Sequence, residues 1–310
     1  MFRNYLKIAI RNLKKNKLHS FINIAGLAIG MAVSILILSY VWFELSFDRF
    51  HSKSDRIYRV THVSLFNKAV SYQGRTGSQL APDLKDKFPE ILHSARLINR
   101  QFRLSYNDEY LEREGMMVAD PDIFKIFDIP LILGDPETAL LDPNSIVLSE
   151  EESQKIFGNE YPIGKFINLH EWGKEAKIKS NLKVTGVAKA MPANSHFSFS
   201  LLIPYTPGWG HDMYSKRIYT YVLLPAGYRP ENLENKFPEF VKKHIAPQLE
   251  KRFATTYDTF LKSGKFYRLE LQPLKDVHLV KDFGEEPYIK KGNKFQVQMY
   301  MVVALLIITL

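Results

Sequence analysis

Apolar and polar positions follow different rhythms in different parts of this chain. From Phe21 to Phe43 the sequence FINIAGLAIGMAVSILILSYVWF runs 23 residues without a charged side chain. At helical rise that covers roughly 35 Å, enough for a hydrocarbon core of about 30 Å with some tilt. A helix satisfies its own backbone hydrogen bonds in lipid, so the stretch reads as a transmembrane helix, with Tyr40, Trp42 and Phe43 at headgroup level. Residues 2–17 instead repeat at the helical period. Phe2, Leu6, Ala9, Ile10 and Leu13 share one side, and Arg3, Lys7, Arg11, Lys14 and Lys15 the other. That pattern predicts an amphipathic helix lying in the membrane interface. Gly26 and Gly30 stand four apart in the apolar run, a small-xxx-small spacing that permits close helix packing.

Beyond Phe43 the periods of two and of 3.6 alternate. Strands are expected at Ile57–Phe66, Ala95–Tyr106, Ile146–Leu148, Phe166–Leu169, Leu182–Ala188, Phe197–Ile203, Ile218–Leu224 and Phe266–Leu271. Tyr110–Val118 reads as a hairpin arm after the Asn107-Asp108 turn. Helices are expected at Gln79–Phe88, at Pro121–Phe127, from Ser149 to a stop at Gly158, and over Pro230–Phe253 with a break at Pro247. Ser149 and Glu152 have the spacing of a capping box. The fold class expected is α+β, with β-α-β units at either end bracketing a β-rich middle. The organisation expected is a basic helix over 1–20, a transmembrane helix over 21–43 and an outer domain over 44–294. That domain divides into one lobe at about 46–106 plus 214–294 and an inserted lobe at about 107–213. From Phe295 the chain turns apolar again; Met299–Leu310 is 12 residues, short of the ~20 a span needs, and reads as the beginning of a second transmembrane helix over 295–310.

Charge sets the direction. The formal net charge is +9, of which Arg3, Lys7, Arg11, Lys14, Lys15 and Lys17 supply +6 without an acid among residues 1–20. The positive-inside bias places the N-terminus in the cytoplasm and the outer domain outside, with these six side chains against anionic headgroups. A nucleic-acid binder would carry its excess charge on the folded domain, so nucleic acid is not an expected partner. With no cysteine, thiolate metal sites, disulfides and thiol nucleophiles are excluded.

Catalytic patterns are missing. There is no phosphate-binding G-x-x-x-x-G-K-[ST] loop, no H-E-x-x-H and no G-x-S-x-G. The nine histidines show no i,i+4 pair. His196 in PANSHFSFS reads as a side chain tying a turn to its neighbour rather than as a base or ligand, and the same holds for His51 and His278 near the two membrane junctions. Asp120, Asp122, Asp128 and Asp135 are open to pairing, but nothing in the spacing requires it. No catalytic, cofactor or metal residue is assigned. Tyr205, Trp209 and Tyr214 bracket YTPGWGHDMY, a loop whose rings either meet a lipid, peptide or protein partner or fold back onto their own lobe.

Several segments carry a resemblance by their order. The basic helix with Arg11-Asn-Leu, the AGLAIG span, FDRFH then RIYRV, KDKFPEI, FKIFDIPLILGDP, SIVLSEEESQKIFG, YPIGK, VTGVAKAMPANSHFSFS and LQPLKDVHL occur in sequence across the chain. Together they resemble the permease subunits of MacB/FtsX-type ABC transporters, nearly end to end. Glu152-Ser153 departs from the family, whose members often carry a small apolar residue there. The resemblance implies a separate cytoplasmic ATPase as partner, a homo- or heterodimer of permeases in the bacterial inner membrane, and a periplasmic core domain with a porter-like and an inserted lobe. It implies mechanotransmission in efflux or lipoprotein and envelope transport, in some relatives through a periplasmic adaptor, and no catalysis by this chain. A membrane-anchored sensor domain is the rival reading, and an anchored periplasmic enzyme a third, which would need a deep pocket with convergent titratable groups.

Overall fold

A computed structural model describes residues 2–66, 69–100, 103–107, 109–111, 115–170, 178–206, 218–279, 283, 286 and 289–309. In chain order the helices are α1 (Phe2–Lys15), α2 (Lys17–Leu45), α3 (Leu80–Lys87), α4 (Ile123–Ile126), α5 (Glu150–Phe157), α6 (Pro230–Glu234), α7 (Phe237–Phe240), α8 (Ala246–Phe253), α9 (Tyr257–Lys262) and α10 (Lys294–Thr309). The strands are β1 (Ile57–Phe66), β2 (Ala69–Gln73), β3 (His93–Asn99), β4 (Arg103–Tyr106), β5 (Glu109–Leu111), β6 (Met116–Ala119), β7 (Leu131–Leu133), β8 (Ser145–Ser149), β9 (Phe166–His170), β10 (Ile178–Ala188), β11 (Leu201–Pro204), β12 (Tyr219–Leu223) and β13 (Phe266–Pro273). The chain forms two compact units: Met1–Ser46 with Gly292–Leu310, and Phe47–Lys291.

The first unit is helical. Asn16 (φ −110°, ψ 54°) breaks α1 from α2, so the basic segment and the apolar segment are separate helices. α2 has 29 residues and a mean hydropathy of 2.4 in its apolar window, long and apolar enough to cross a membrane. It packs against α10, where Tyr40 and Tyr300 meet edge to face at 5.6 Å and 73°.

The second unit is built on one mixed sheet with the path β13-β1-β12-β3-β6-β11-β8-β10-β9-β4-β5, with β2 beside β1 and β7 beside β10. β6–β11 and β8–β10 run parallel; the other pairs are antiparallel. β12, YTYVL, shows why the sheet sits inside the unit: all five residues are buried. Tyr219, Tyr221 and Leu223 enter one cluster with Phe127 and Phe197, while Val222 enters a second with Leu80, Phe237 and Leu269. Alternation then buries both faces, and α3 and α6–α8 supply the cover on the second. A third cluster lies toward the β5 end, around Leu104, Ile146, Phe157 and Ile167.

The structure revises several expected elements. Met116–Ala119 is not a hairpin arm but β6, inserted between β3 and β11; the hairpin is β4–β5 alone. Phe197–Phe199 is not strand, because Ser195 Oγ bonds Phe197 C=O at 2.7 Å and bends the backbone locally. The long helix over 230–253 is three short helices. A π turn at Val241–Ile245 precedes Pro247, where the Ala246 N–H reaches back five residues to Val241 C=O. The wider turn makes room for a ring that would clash with an α-helical carbonyl. The capping box is one-sided: Ser149 Oγ accepts the Glu152 N–H at 3.2 Å, but the Ser149 N–H is taken by Ser200 C=O at 2.8 Å. Gly158 (φ 59°) does end α5.

Candidate functional site

The site lies where the chain enters and leaves the second unit. Asp48 has a left-handed backbone (φ 57°), which Asp tolerates better than most residues. Turned this way, its N–H donates to Asn194 C=O at 2.9 Å and its carboxylate faces His196. His196 donates twice to Asp48 Oδ1, from its backbone N–H at 3.1 Å and from ring Nδ1 at 2.8 Å. A ring that gives its Nδ1–H to a carboxylate accepts at Nε2, and the Tyr221 hydroxyl lies 2.8 Å from that nitrogen. All three residues are fully buried. Burial raises Tyr221 well above the usual phenol range, so its hydroxyl keeps the proton it donates.

Three residues on, His51 fixes the inbound stretch a second time. Its Nδ1 accepts the Asp128 N–H at 3.1 Å, and the Asp128 carboxylate in turn accepts the Ser52 N–H and, at 3.1 Å, its hydroxyl. Burial lowers His51 to about 4 despite the opposing pull of the Asp48 carboxylate, so the ring is neutral at physiological pH.

The outbound stretch meets the same residues. The Lys290 N–H donates to His196 C=O at 2.8 Å, and Lys290 Nζ reaches Ala193 C=O at 3.4 Å. Lys290 C=O accepts from His278 Nδ1 at 2.8 Å, and the His278 ring lies flat on Phe47, with centroids 3.3 Å apart and 3° between planes. Inbound Phe47–Ser52 and outbound Ile289–Lys291 are thus both tied to residues 193–196 and to His278. Chemically this is a staple. The Asp48–His196–Tyr221 chain has the order of a hydrolytic relay, yet none of the three residues reaches solvent, so no substrate atom can approach it.

His196, His51 and His278 therefore tie turns to neighbours, as their settings suggested, and converge on one junction. Sequence reasoning missed their partners Asp48, Asn194, Tyr221 and Lys290. The aspartates do not pair with one another: Asp120 holds Arg96 at 2.6 Å, Asp122 lies 2.9 Å from His93, Asp128 holds Ser52, and Asp135 caps the turn at Glu137 at 3.0 Å. Tyr205 folds back, its ring 3.7 Å from the Arg96 guanidinium carbon; Trp209 and Tyr214 lie outside the described residues. A Cβ on Gly30 would sit 3.6 Å from Ile307 of α10, whereas Gly26 has nothing within 4 Å. Lys7, Arg11, Lys14, Lys15 and Lys17 are exposed on their helices; the Arg3 side chain is not among the described ones. Among the described residues no cluster of three His, Asp or Glu could hold a metal ion. A polar cleft of about 610 Å³ at the start of α5 contains Glu151, already paired with Lys155 at 2.6 Å.

The sequence model of the MacB-like periplasmic core domain family matches residues 20–240. Among solved structures, a permease-protein domain from Porphyromonas gingivalis is similar with TM-score 0.59 and 22% identity, over 77% of this chain and 96% of that one. The periplasmic region of MacB from Actinobacillus actinomycetemcomitans gives 0.44 and 13%, over 72% and 91%. The extracellular domain of the noncanonic ABC-type transporter YknZ from Gram-positive bacteria gives 0.39 and 12%, over 69% and 99%. No curated protein matches. The Porphyromonas likeness shows a shared fold.

Proposed function

Because this chain belongs to the family of the MacB-like periplasmic core domain of ABC transporter permeases, we propose that its outer domain transmits movement between membrane helices rather than catalysing a reaction. α2 crosses the inner membrane with α1 on the cytoplasmic side and the sheet domain in the periplasm. A separate cytoplasmic ATPase drives the helices of two such permeases together and apart. The domain, divided into a lobe near 46–106 and 214–294 and a lobe near 107–213, changes shape in response.

One observation carries this reading: the inbound and outbound stretches grip the same short segment, residues 193–196. A domain that only bound a ligand would have no need to fasten its two tethers to each other. Fastened so, displacement at either tether reaches the sheet through Tyr221 on β12 instead of being absorbed by slack chain.

The test uses the complete transporter with a thiol-free ATPase. This sequence holds no cysteine; with any other cysteine in the transporter replaced and the labels on one permease of the pair, spin labels at Lys53→Cys and Lys183→Cys report one distance across the domain. That distance should change on ATP addition, and His196→Ala should abolish the change while ATP hydrolysis continues. An ATP-driven change that survives in folded His196→Ala would refute the proposal.

A further inference from the structure

The outer domain gathers its positive charge in one stretch. From Lys236 to Arg268 there are eight basic and three acidic side chains, a net +5, whereas residues 21–310 together carry +3. Local structure turns these cations outward. The π turn at Val241–Ile245 buries Val241 and Ile245 and leaves Lys242 and Lys243 exposed between them. Lys251 and Arg252 near the end of α8 and Lys262 at the end of α9 are exposed too. Neighbouring acids neutralise little of this. Lys236 pairs with Glu90 at 2.6 Å and Arg268 with Glu270 at 2.7 Å, but Lys242, Lys243, Lys251 and Lys262 form no ion pair among the described residues. Glu250 is taken up by the Tyr257 N–H at 2.7 Å, which leaves Glu239 and Asp258 as the exposed acids of the stretch.

The same stretch encloses an apolar cavity of about 470 Å³ between α7 with its π turn, α9 and β13. Val241, Tyr257, Leu261, Phe266 and Leu269 wall it, and the exposed Glu239, Lys242 and Arg268 complete its lining. Leu261 is 43% exposed and Tyr257 and Phe266 are half-buried, so the cavity opens to solvent. An apolar centre with a charged surround is the anatomy of a protein interface. Shape and charge say what fits it. A bilayer is flat and is met by side chains that protrude from a protein, whereas a concavity is filled by a side chain that protrudes into it. The cations are spread over three helices and a strand, which suits several carboxylates along a chain better than one headgroup.

We propose that this face docks an acidic segment of another protein, which buries an apolar side chain in the cavity and sets carboxylates against Lys242, Lys243 and their neighbours. The inference goes beyond the movement-transmitting reading and does not depend on it. Leu261→Cys places a thiol in the cavity wall of a sequence that holds no cysteine. The complete transporter, with any other cysteine replaced, is set in phosphatidylcholine nanodiscs, and maleimide labelling of Cys at 261 is timed with added peptides. The probe is the peptide EDELFEDE; its controls are QNQLFQNQ, without charge, and EDEAAEDE, without an apolar anchor. Saturating EDELFEDE should slow labelling about tenfold, and each control should need about tenfold more peptide for half-protection. Lys242→Glu with Lys243→Glu should raise the half-protecting concentration about tenfold, while Lys183→Glu, a reversal on an exposed lysine of β10, should leave it unchanged. Protection that is absent, that the control peptides give equally, or that ignores the Lys242 and Lys243 reversal overturns the proposal. Should the reversal variant fail to fold, the control peptides decide alone. Dihexanoylphosphatidylglycerol, a soluble anionic lipid, should protect less well than EDELFEDE; protection at a lower concentration than the peptide's would make the face a lipid site and overturn the proposal.

Discussion

His51 ties stability to pH in a direction the structure dictates. In the folded chain its Nδ1 is occupied as an acceptor by the Asp128 N–H, and the ring is buried between Phe50 and Phe127. Protonation would place a second hydrogen against that N–H and a charge where water cannot reach. The folded value is therefore about 4, against 6.5 for the free side chain. A group depressed on folding binds its proton first in the unfolded chain, so its contribution is complete above pH 6.5 and is lost as pH falls toward 4. Two and a half units at about 1.4 kcal/mol each put the loss at no more than about 3.5 kcal/mol. The comparison that isolates it is His51→Asn, whose side-chain oxygen can still accept from Asp128 but does not titrate. Urea unfolding of the chain in detergent, followed by circular dichroism at several values between pH 7 and 4.5, should show wild type losing its lead over the variant by about 2–3 kcal/mol. A wild-type-minus-variant difference that stays flat across that range would show that the ring is not held neutral by burial, and the account of the inbound tie would be wrong.

Asp48→Ala should cost about 3–5 kcal/mol, since it orphans two buried donors of His196 and forces a non-glycine Cβ without compensation into the left-handed region; Asp48→Asn, at home in that region, should cost about half as much in the same unfolding assay. Ser149→Ala removes the oxygen that accepts the Glu152 N–H and should lower stability by about 1 kcal/mol, no more, because the Ser149 N–H keeps its bond to Ser200. Arg96→Lys should cost about 1–3 kcal/mol: a lysine cannot make the fork to Asp120 at 2.6 and 2.8 Å while reaching Ser78 C=O and covering Tyr205, and thermal unfolding would register the loss. Within the membrane unit, Gly30→Leu should reduce disulfide formation between Tyr40→Cys and Tyr300→Cys in membranes, whereas Gly26→Leu should leave it unchanged, because only Gly30 faces a side chain of α10.

Local physics was legible in the sequence, and convergence was not. An unbroken apolar run, a two-residue alternation from Ile57 to Phe66 and a serine before three glutamates each declare themselves within a few positions, and α2, β1 and the start of α5 stand where those signals put them. What joins His196 to Asp48 is a contact across 148 positions, and periodicity carries no information at that range. The capping box failed for the same reason: its second half lost the competition for the Ser149 N–H to Ser200, a residue brought in by the sheet. One distant partner did leave a trace. In IYRVT the alternation puts Arg59 on the same face as Ile57, where an apolar residue belongs, and a charge on a core face announces a buried counter-charge without saying which carboxylate provides it.

The division of labour at the junction follows from how each interaction responds to displacement. The cluster of Phe127, Phe197 and Tyr221 supplies apolar burial, which is non-directional and tolerates exchange or sliding of side chains at small cost. The bonds from His196 to Asp48, Tyr221 and Lys290 do the opposite: a buried donor drawn off its acceptor costs about 1–3 kcal/mol before any new partner is found. A junction built from apolar contacts would let the inbound and outbound stretches slide past one another, while one built from buried directional bonds holds Phe47–Ser52 and Ile289–Lys291 in register. Because Tyr221 and Arg59 are register partners across β12 and β1, the bond from His196 to Tyr221 joins the junction to both strands at that row.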